Sequence, residues 1–190
     1  MEELREERLY TYADYANWDT DKRYELIDGI PILMAAPTVE HQDLLLELGG
    51  QFRDFLKGKP CRVYIAPLDV RLFAQGDDER TVVQPDLLVI CDRSKLDKKG
   101  CNGAPDLVVE ILSPSNKRHD RFVKFQQYQK AGVRECWMLD PEDKLLYAHV
   151  LENEKYVVNV YGDTDTAPVQ ILEGCEVSLT DVFGAGGGNP

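Results

Sequence analysis

Apolar residues recur along the chain at two spacings, and each spacing predicts a different kind of element. Residues 24–34 (YELIDGIPILM) contain two short apolar runs on either side of Asp28 and Gly29. This pattern predicts a β-hairpin, because a tight two-residue turn needs positive φ angles that Gly adopts at little cost. From 38 to 57 the apolar positions return every three or four residues, which predicts a helix that ends at Gly58.

Strands dominate the rest of the chain. The nearly continuous apolar run at 104–112 is typical of a strand that is covered on both faces. A helix is predicted after it, beginning at Ser113 or Ser115 and ending near Ala131. The predicted strands are 61–73, 82–90, 104–112, 133–139, 145–151, 156–161 and 168–172.

This order of elements predicts an α/β (α+β) fold: a mixed β-sheet flanked by helices, with an N-terminal hairpin and a C-terminal antiparallel meander. The 190 residues suffice for one buried core, so a single domain is expected over 1–183, followed by a disordered glycine-rich tail at 184–190. No apolar run reaches the length of a membrane span, and the charged N-terminus does not resemble a signal peptide. The five scattered cysteines are expected to be buried thiols of a cytoplasmic protein.

The net charge of −12 argues against a protein that coats nucleic acid without specificity, because phosphate binding depends on Lys and Arg. The basic residues are nevertheless unevenly distributed. Four of them lie between Arg93 and Lys99, and six between Lys117 and Arg134. The composition therefore allows a local basic face and a nucleic-acid substrate.

Three acidic residues stand at or inside apolar strands. Asp86 and Asp106 each follow a proline at the start of a strand, and Glu110 lies in the middle of one. Because side chains alternate along a strand, Asp106 and Glu110 share one face, and Asp86 can project toward the same cleft. Converging carboxylates repel one another, and a Mg²⁺ ion removes that repulsion. Turn or cap roles for the aspartates, and a salt bridge to a helix for Glu110, are the structural alternatives.

The segments around these acids resemble a known family. An acid after Pro85, followed by Glu110 on the next strand, is similar to the PD-(D/E)XK nuclease signature, and more specifically the chain resembles the Uma-type restriction endonucleases. The matching segments are YELIDG at 24–29, His41, QPDLLVI at 84–90, APDLVVEILSPSN at 104–116, Asp120 with Lys124 and Tyr128, and GVRECWMLDP at 132–141. The resemblance implies a restriction-endonuclease-like fold and metal-dependent hydrolysis of phosphodiester bonds in nucleic acid.

One position departs from the signature. A lysine is expected two residues after the second acid, where this chain has Leu112 on the same strand face as Glu110. Lys124 on the following helix looks like the migrated lysine, able to orient an attacking water or to neutralise phosphate charge. Asp120 and Tyr128 lie four residues to either side on the same helical stripe, and a salt bridge from Lys124 to Asp120 is the alternative.

The resemblance also implies the roles of single residues. Asp86 and Glu110 would bind Mg²⁺, for which Mn²⁺ can substitute, and Asp106 is a further candidate ligand. Glu25 is a candidate catalytic acid, with a structural pair to a lysine as the alternative. His41 is a candidate substrate contact or catalytic helper, although a histidine in the first turn of a helix is more often structural.

Two other functions fit the same sequence. A non-catalytic relative would keep the fold and bind nucleic acid or a protein partner, which Leu112 and the acidic composition favour. A hydrolase of a small phosphate ester would use the same carboxylates. For the nuclease, DNA is expected as the substrate rather than RNA, no membrane contact is expected, and a homodimer is expected. Tyr147, Tyr156 and Val158 would form its interface or else cover the sheet.

Overall fold

The computed structural model describes residues 8–113 and 120–185. Its strands are β1 (Tyr24–Ile27), β2 (Ile30–Leu33), β3 (Arg62–Ile65), β4 (Val70–Arg71), β5 (Val82–Val83), β6 (Leu87–Ile90), β7 (Leu96–Asp97), β8 (Gly100–Asn102), β9 (Leu107–Ile111), β10 (Glu135–Asp140), β11 (Leu145–Glu152), β12 (Lys155–Gly162), β13 (Thr166–Pro168) and β14 (Glu176–Ser178). Its helices are α1 (Tyr12–Tyr15), α2 (Val39–Leu56), α3 (Phe125–Ala131) and α4 (Leu179–Ala185). A π-helical turn, Asp120–Lys124, leads directly into α3.

The strands form two mixed sheets and a separate pair. The central sheet has the order β12-β11-β10-β9-β6-β3, the second sheet has the order β2-β1-β5-β4-β8-β7, and β13 pairs with β14. Within the central sheet only β9 and β10 are parallel. The connection between them contains α3, because parallel neighbours require a crossover. The predicted mixed α+β fold is confirmed.

The prediction of a single strand over 82–90 is wrong, because this segment forms two strands, β5 and β6. The run breaks at Gln84–Asp86, so that β5 belongs to the second sheet and β6 to the central one. Pro85 lies inside the break and lacks the N–H group that a continuous ladder needs. The break therefore carries the chain from one sheet to the other immediately before Asp86.

Two local predictions near the N-terminus are confirmed. Asp28 and Gly29 form the turn of the β1–β2 hairpin with φ angles of 50° and 85°. A side chain at Gly29 would also meet the carbonyl oxygen of Tyr10, 3.1 Å from the position of a Cβ. The predicted long helix is α2, and the hydroxyl of its N-cap, Thr38, accepts a hydrogen bond from the His41 amide at 3.2 Å.

Apolar side chains bury both faces of the central sheet. Alternate residues of β9 serve the two sides, so Val109 faces α2 and Val108 faces α3 and the second sheet. On the first side, Phe52 of α2 is fully buried and its ring centroid lies 5.8 Å from that of Trp137. On the second side, Tyr128 of α3 is fully buried. Strands covered on both faces leave little room for charge, so each buried acid requires a partner.

The C-terminal part differs from the prediction. The strand expected at 168–172 is instead β13 at 166–168, and it pairs with β14 and not with the β11–β12 hairpin. The helix α4 extends to Ala185, so the predicted tail at 184–190 begins two residues too early, and 186–190 lie outside the described residues. The predicted helix start at Ser115 also lies outside them. No helix of the described chain is long and apolar enough to cross a membrane.

The expectation of five free thiols is wrong for two of them. Cys61 and Cys91 form a disulfide, whereas Cys101, Cys136 and Cys175 are buried thiols. Arg62 pairs with Ile90 in the antiparallel β3–β6 ladder, so one further step along each strand brings the two cysteines opposite each other. This closeness depends on strand pairing and leaves no signal in the spacing of the cysteines.

We expect Phe52→Ala to lower the free energy of unfolding by about 3–5 kcal/mol, because it removes a buried ring from the interface between α2 and the central sheet. Leu46→Ala on the same helix is the matched control, since Leu46 is 72% exposed, and it should change stability by less than about 0.5 kcal/mol. Urea denaturation followed by circular dichroism measures both. Equal effects of the two variants would contradict the burial assigned to this face of α2.

Candidate active site

Strand pairing brings the two acids of the sequence signature together. Leu87 pairs with Val109 in the antiparallel β6–β9 ladder, and one more step along that register sets Asp86 opposite Glu110. Asp86 Oδ2 also accepts a hydrogen bond of 2.7 Å from the amide of Ile111, the residue after Glu110. The break at Pro85 and the middle of β9 thus form one edge of a cleft.

A buried lysine joins two of the carboxylates. Lys124 Nζ lies 2.6 Å from Glu110 Oε1 and 2.9 Å from Glu25 Oε1. Glu25, Glu110 and Lys124 are each no more than 3% exposed. An ammonium and carboxylates lose hydration when they are buried, and their mutual attraction repays that loss only while the partners stay together. We call Glu25, Glu110 and Lys124 the buried ion cluster.

Tyr128, one helical turn after Lys124, also contacts Glu110. Its hydroxyl donates a hydrogen bond of 2.5 Å to Glu110 Oε1. Burial, together with the Glu110 and Glu25 carboxylates, raises the pKa of Tyr128 well above its ordinary value of 10.0. The hydroxyl therefore keeps its proton at neutral pH and serves as a permanent donor to the carboxylate.

Glu25 is held by the same break that carries Asp86. Its Oε1 accepts a hydrogen bond of 2.7 Å from the amide of Gln84. The Gln84 side chain is itself fixed, because Nε2 donates to Asp69 at 2.8 Å and to the Tyr15 hydroxyl at 3.1 Å. The remaining amide oxygen of Gln84 accepts a hydrogen bond of 2.6 Å from Arg23.

His41, in the first turn of α2, contacts Asp86. Its Nε2 lies 3.1 Å from Asp86 Oδ1. A carboxylate can only accept, so Nε2 carries the proton of this hydrogen bond. The other ring nitrogen, Nδ1, is buried and has no hydrogen-bond partner among the described residues. His41 thus fixes the orientation of the Asp86 carboxylate.

All five predicted catalytic residues line one cleft of about 560 Å³: Glu25, His41, Asp86, Glu110 and Lys124. The end of the hairpin and the loop after it form another part of the lining, for example at Leu33 and Pro37. The catalytic roles themselves stay predictions. The alternative partner of Lys124, Asp120, has a side chain outside those that the structure describes.

Asp106 is not brought to this cleft. It shares a strand face with Glu110, but four residues of extended chain separate the two by roughly 13 Å. Asp106 Oδ2 accepts a hydrogen bond of 2.7 Å from the Cys91 amide, and Oδ1 lies 3.3 Å from Arg134. The expected convergence of three acids is therefore corrected: Glu25, and not Asp106, lines the cleft with Asp86 and Glu110.

The charges of the cleft suit a divalent cation. Glu25, Asp86 and Glu110 bring three carboxylates to the cleft, and Lys124 lies on two of them. No group of three or more metal-ligand side chains is arranged around a common point in residues 8–113 and 120–185. Asp86 and Glu110 provide oxygen ligands only, and Mg²⁺ commonly takes one or two carboxylates with waters and a substrate phosphate. The residues present therefore fit Mg²⁺ or Mn²⁺.

The chain matches the model of a known protein family over most of its length. A family model described as "Uma2: Putative restriction endonuclease" matches residues 12–180. The chain belongs to the Uma2 family. The resemblance to the Uma-type family noted in the sequence is thereby confirmed.

Two further proteins are similar to this chain, one in sequence and one in structure. The uncharacterized protein slr1290 of Synechocystis sp. (strain PCC 6803) is 28% identical over 128 residues, which are 66% of this chain and 65% of that protein. A crystal structure from Anabaena variabilis ATCC 29413, described as a putative nuclease belonging to DUF820, has a TM-score of 0.74 at 20% identity. It covers 93% of this chain and 98% of its own, which confirms the fold of this Uma2 protein.

Sequence reasoning did not assign roles to Tyr128, Gln84 or Arg23. Tyr128 and Gln84 lie within the family segments, yet nothing in their spacing indicates a contact with Glu110 or Glu25. Arg23 directly precedes the YELIDG segment and carries no pattern of its own. Their roles arise from contacts between elements that are far apart in the sequence.

We expect Lys124→Met to lower the free energy of unfolding at pH 7 by about 3–5 kcal/mol, because Glu25 and Glu110 would stay buried without their cation. Chemical denaturation measures the change, and Lys98→Met, at an exposed position, is the control. Adding Glu25→Gln to Lys124→Met should recover part of the loss, since it removes one of the two buried carboxylate charges. Wild-type stability of Lys124→Met would contradict the buried ion cluster.

Proposed function

We propose that this Uma2 protein is a Mg²⁺-dependent endonuclease that hydrolyses phosphodiester bonds of DNA. The observation that carries the proposal is the juxtaposition of Asp86 and Glu110 in one cleft, with Lys124 on Glu110. A pure binding module has no need of two acids placed side by side in a cleft, so their retention favours the enzyme over the non-catalytic alternative. The family's description as a restriction endonuclease supports DNA, and not RNA, as the proposed substrate.

Asp86 and Glu110 would hold the metal ion, with His41 orienting the first carboxylate and Tyr128 the second. When bound, a divalent ion supplies Lewis-acid stabilisation of the charge that develops on the phosphoryl oxygens and lowers the pKa of water. Lys124 brings a positive charge to the lining of the cleft, where it stabilises negative charge on the reacting phosphate. Its position on a helix compensates for Leu112, which occupies the strand position of the signature lysine.

Glu25 would keep Lys124 in place. Because its Oε1 is already held by the Gln84 amide, the carboxylate forms a fixed second contact for the ammonium. This assigns Glu25 a positioning role and leaves Asp86 and Glu110 as the carboxylates that touch the metal ion.

We expect Mg²⁺ and Mn²⁺ to raise the melting temperature of the wild type by mass action, and Glu110→Gln to abolish this response. The same variant should lower metal-dependent cleavage of plasmid DNA by at least about 100-fold, since it removes the negative charge of a proposed metal ligand. Glu173→Gln, at an exposed position, is the matched control. Asp106→Asn should keep the thermal response, because Asp106 binds Cys91 and Arg134 at the other end of β9.

The outcomes separate the candidate functions. Cleavage that is unchanged in Glu110→Gln would contradict the proposed site. A thermal response without cleavage of plasmid, single-stranded DNA or RNA would favour a small phosphate ester as the substrate. Absence of both the response and cleavage would indicate a binding module that retains the nuclease fold.

We also propose that the protein is a homodimer that associates through β12. Of the predicted interface residues, Tyr156 packs on Phe125 and donates its hydroxyl to the Val133 carbonyl at 2.8 Å, so it covers the sheet. Val158 is 47% exposed on the terminal strand of the central sheet, between the similarly exposed Val157 and Val160. The sequence YVVNVY at 156–161 is nearly palindromic, which suits antiparallel pairing with a second copy.

Light scattering is expected to give the mass of a dimer for the wild type and of a monomer for Val158→Lys, because an edge lysine opposes strand pairing. Leu46→Lys, on the exposed face of α2, is the control and should leave the mass unchanged. A monomeric wild type at micromolar concentration would contradict the dimer without affecting the proposed active site.

A further inference from the structure

The cleft contains a second cation besides Lys124. Arg23 precedes β1, is exposed, and lines the same cleft as Asp86 and Glu110. Lys124 is buried, and both Glu110 and Glu25 lie within ion-pair distance of it. Arg23 forms no ion pair with any residue of 8–113 or 120–185. Arg23 therefore adds a second positive charge to the cleft, on an exposed side chain that a ligand entering from solvent can reach.

Gln84 fixes one side of the Arg23 guanidinium. The orientation of the Gln84 amide follows from its partners: Asp69 can only accept a hydrogen bond, so Nε2 faces Asp69 and Oε1 faces Arg23. Arg23 Nη2 donates to that oxygen at 2.6 Å. Arginine has five N–H donors in a planar fork, so several donors remain for a ligand.

The cleft is lined by several acidic residues, which repel a phosphate group, so a phosphate ligand needs a cation such as Arg23 beside it. Glu40 and Glu142 line the cleft in addition to Asp86, Glu110 and Glu25. A nucleic-acid backbone carries one negative charge per phosphate, and a divalent ion on Asp86 and Glu110 compensates only part of the repulsion. A fixed guanidinium binds a phosphodiester through two parallel hydrogen bonds, which lysine cannot reproduce.

We infer that Arg23, oriented by Gln84, forms a phosphate-binding subsite that holds a backbone phosphodiester next to the one being cleaved. The inference rests on the proposed nuclease function and adds to it a residue outside the acid and lysine set. Arg23 touches substrate in this assignment, and Gln84 is a positioning residue. Because the contact is to the backbone, it strengthens binding without selecting a base sequence.

The test measures binding and cleavage separately. Fluorescence anisotropy of a labelled DNA duplex, with Ca²⁺ in place of Mg²⁺, is recorded over a series of salt concentrations for the wild type and Arg23→Gln. Loss of one phosphate contact should weaken binding about fivefold to tenfold at 0.1 M salt and reduce the slope of log K against log salt by about one. In the cleavage assay, KM should rise more than kcat falls.

Three further variants sharpen the result. Arg23→Lys should keep the salt slope but bind more weakly than the wild type, because it retains the charge and loses the fork. Gln84→Ala should weaken binding with a nearly unchanged slope, since the charge is present but no longer oriented. Arg134→Gln removes the same charge at the other end of β9, beside Asp106, and should leave binding in the cleft unchanged. Circular dichroism confirms that each variant is folded.

Equal weakening by Arg23→Gln and Arg134→Gln would overturn the inference, because it would reduce Arg23 to a contribution to overall charge. Unchanged binding in Arg23→Gln would also overturn it, while loss of cleavage in Glu110→Gln would leave the proposed function standing. A wild type that neither binds nor cleaves DNA would overturn both.

Discussion

The ammonium of Lys124, held between Glu110 and Glu25, is the interaction on which the rest of the site depends. It joins the end of the π-helical turn before α3 to a strand of each sheet, β9 and β1. All three side chains are almost fully buried, so none of them keeps enough water to be stable alone. Helix, central sheet and second sheet must therefore meet correctly before the charges can be buried, and the site forms only with the complete fold.

The break at Gln84–Asp86 turns this arrangement into a cleft. It ends the pairing of β5 in the second sheet and begins β6 in the central sheet. Three consecutive residues then have three different uses: the Gln84 amide holds Glu25, Pro85 interrupts the ladder, and Asp86 reaches the Ile111 amide next to Glu110. In a continuous strand these backbone groups would pair with a neighbouring strand. The Gln84 amide would then not be available to Glu25, and Asp86 would not reach the Ile111 amide.

Lys124 contacts Glu110 although it lies outside the strand, where this chain has Leu112 at the position of the signature lysine. Leu112 is buried in the core on the α3 side of the central sheet. The π-helical turn before α3 covers the same face, and its Lys124 side chain contacts Glu110 from there. The ion pair and the Tyr128 hydrogen bond both end on Glu110 Oε1. The same charge thus reaches the second acid from a different element, which is the basis for assigning Lys124 a role in catalysis.

Local sequence determined those features that depend on near neighbours. The hairpin at Asp28 and Gly29 follows from backbone preference, α2 from its apolar period, and the burial of Glu110 from its place in an apolar strand. The family segments also identified Asp86, Glu110, Lys124, Glu25 and His41 as one set, and the structure brings all five to one cleft. The predictions of the hairpin, of α2 and of the buried strand succeeded because a turn, a period of 3.6 or an alternation of two can be recognised within a dozen residues.

Only the tertiary structure decided which distant residues meet. Asp106 and Glu110 share one strand face, yet they lie toward opposite ends of β9 and have different partners. The division of the strands between two sheets, the Cys61–Cys91 disulfide, and the chain of hydrogen bonds from Asp69 through Gln84 to Arg23 were likewise not predicted. Each depends on strand register and on which element covers which face, and these are set by packing over the whole chain and not by any local pattern.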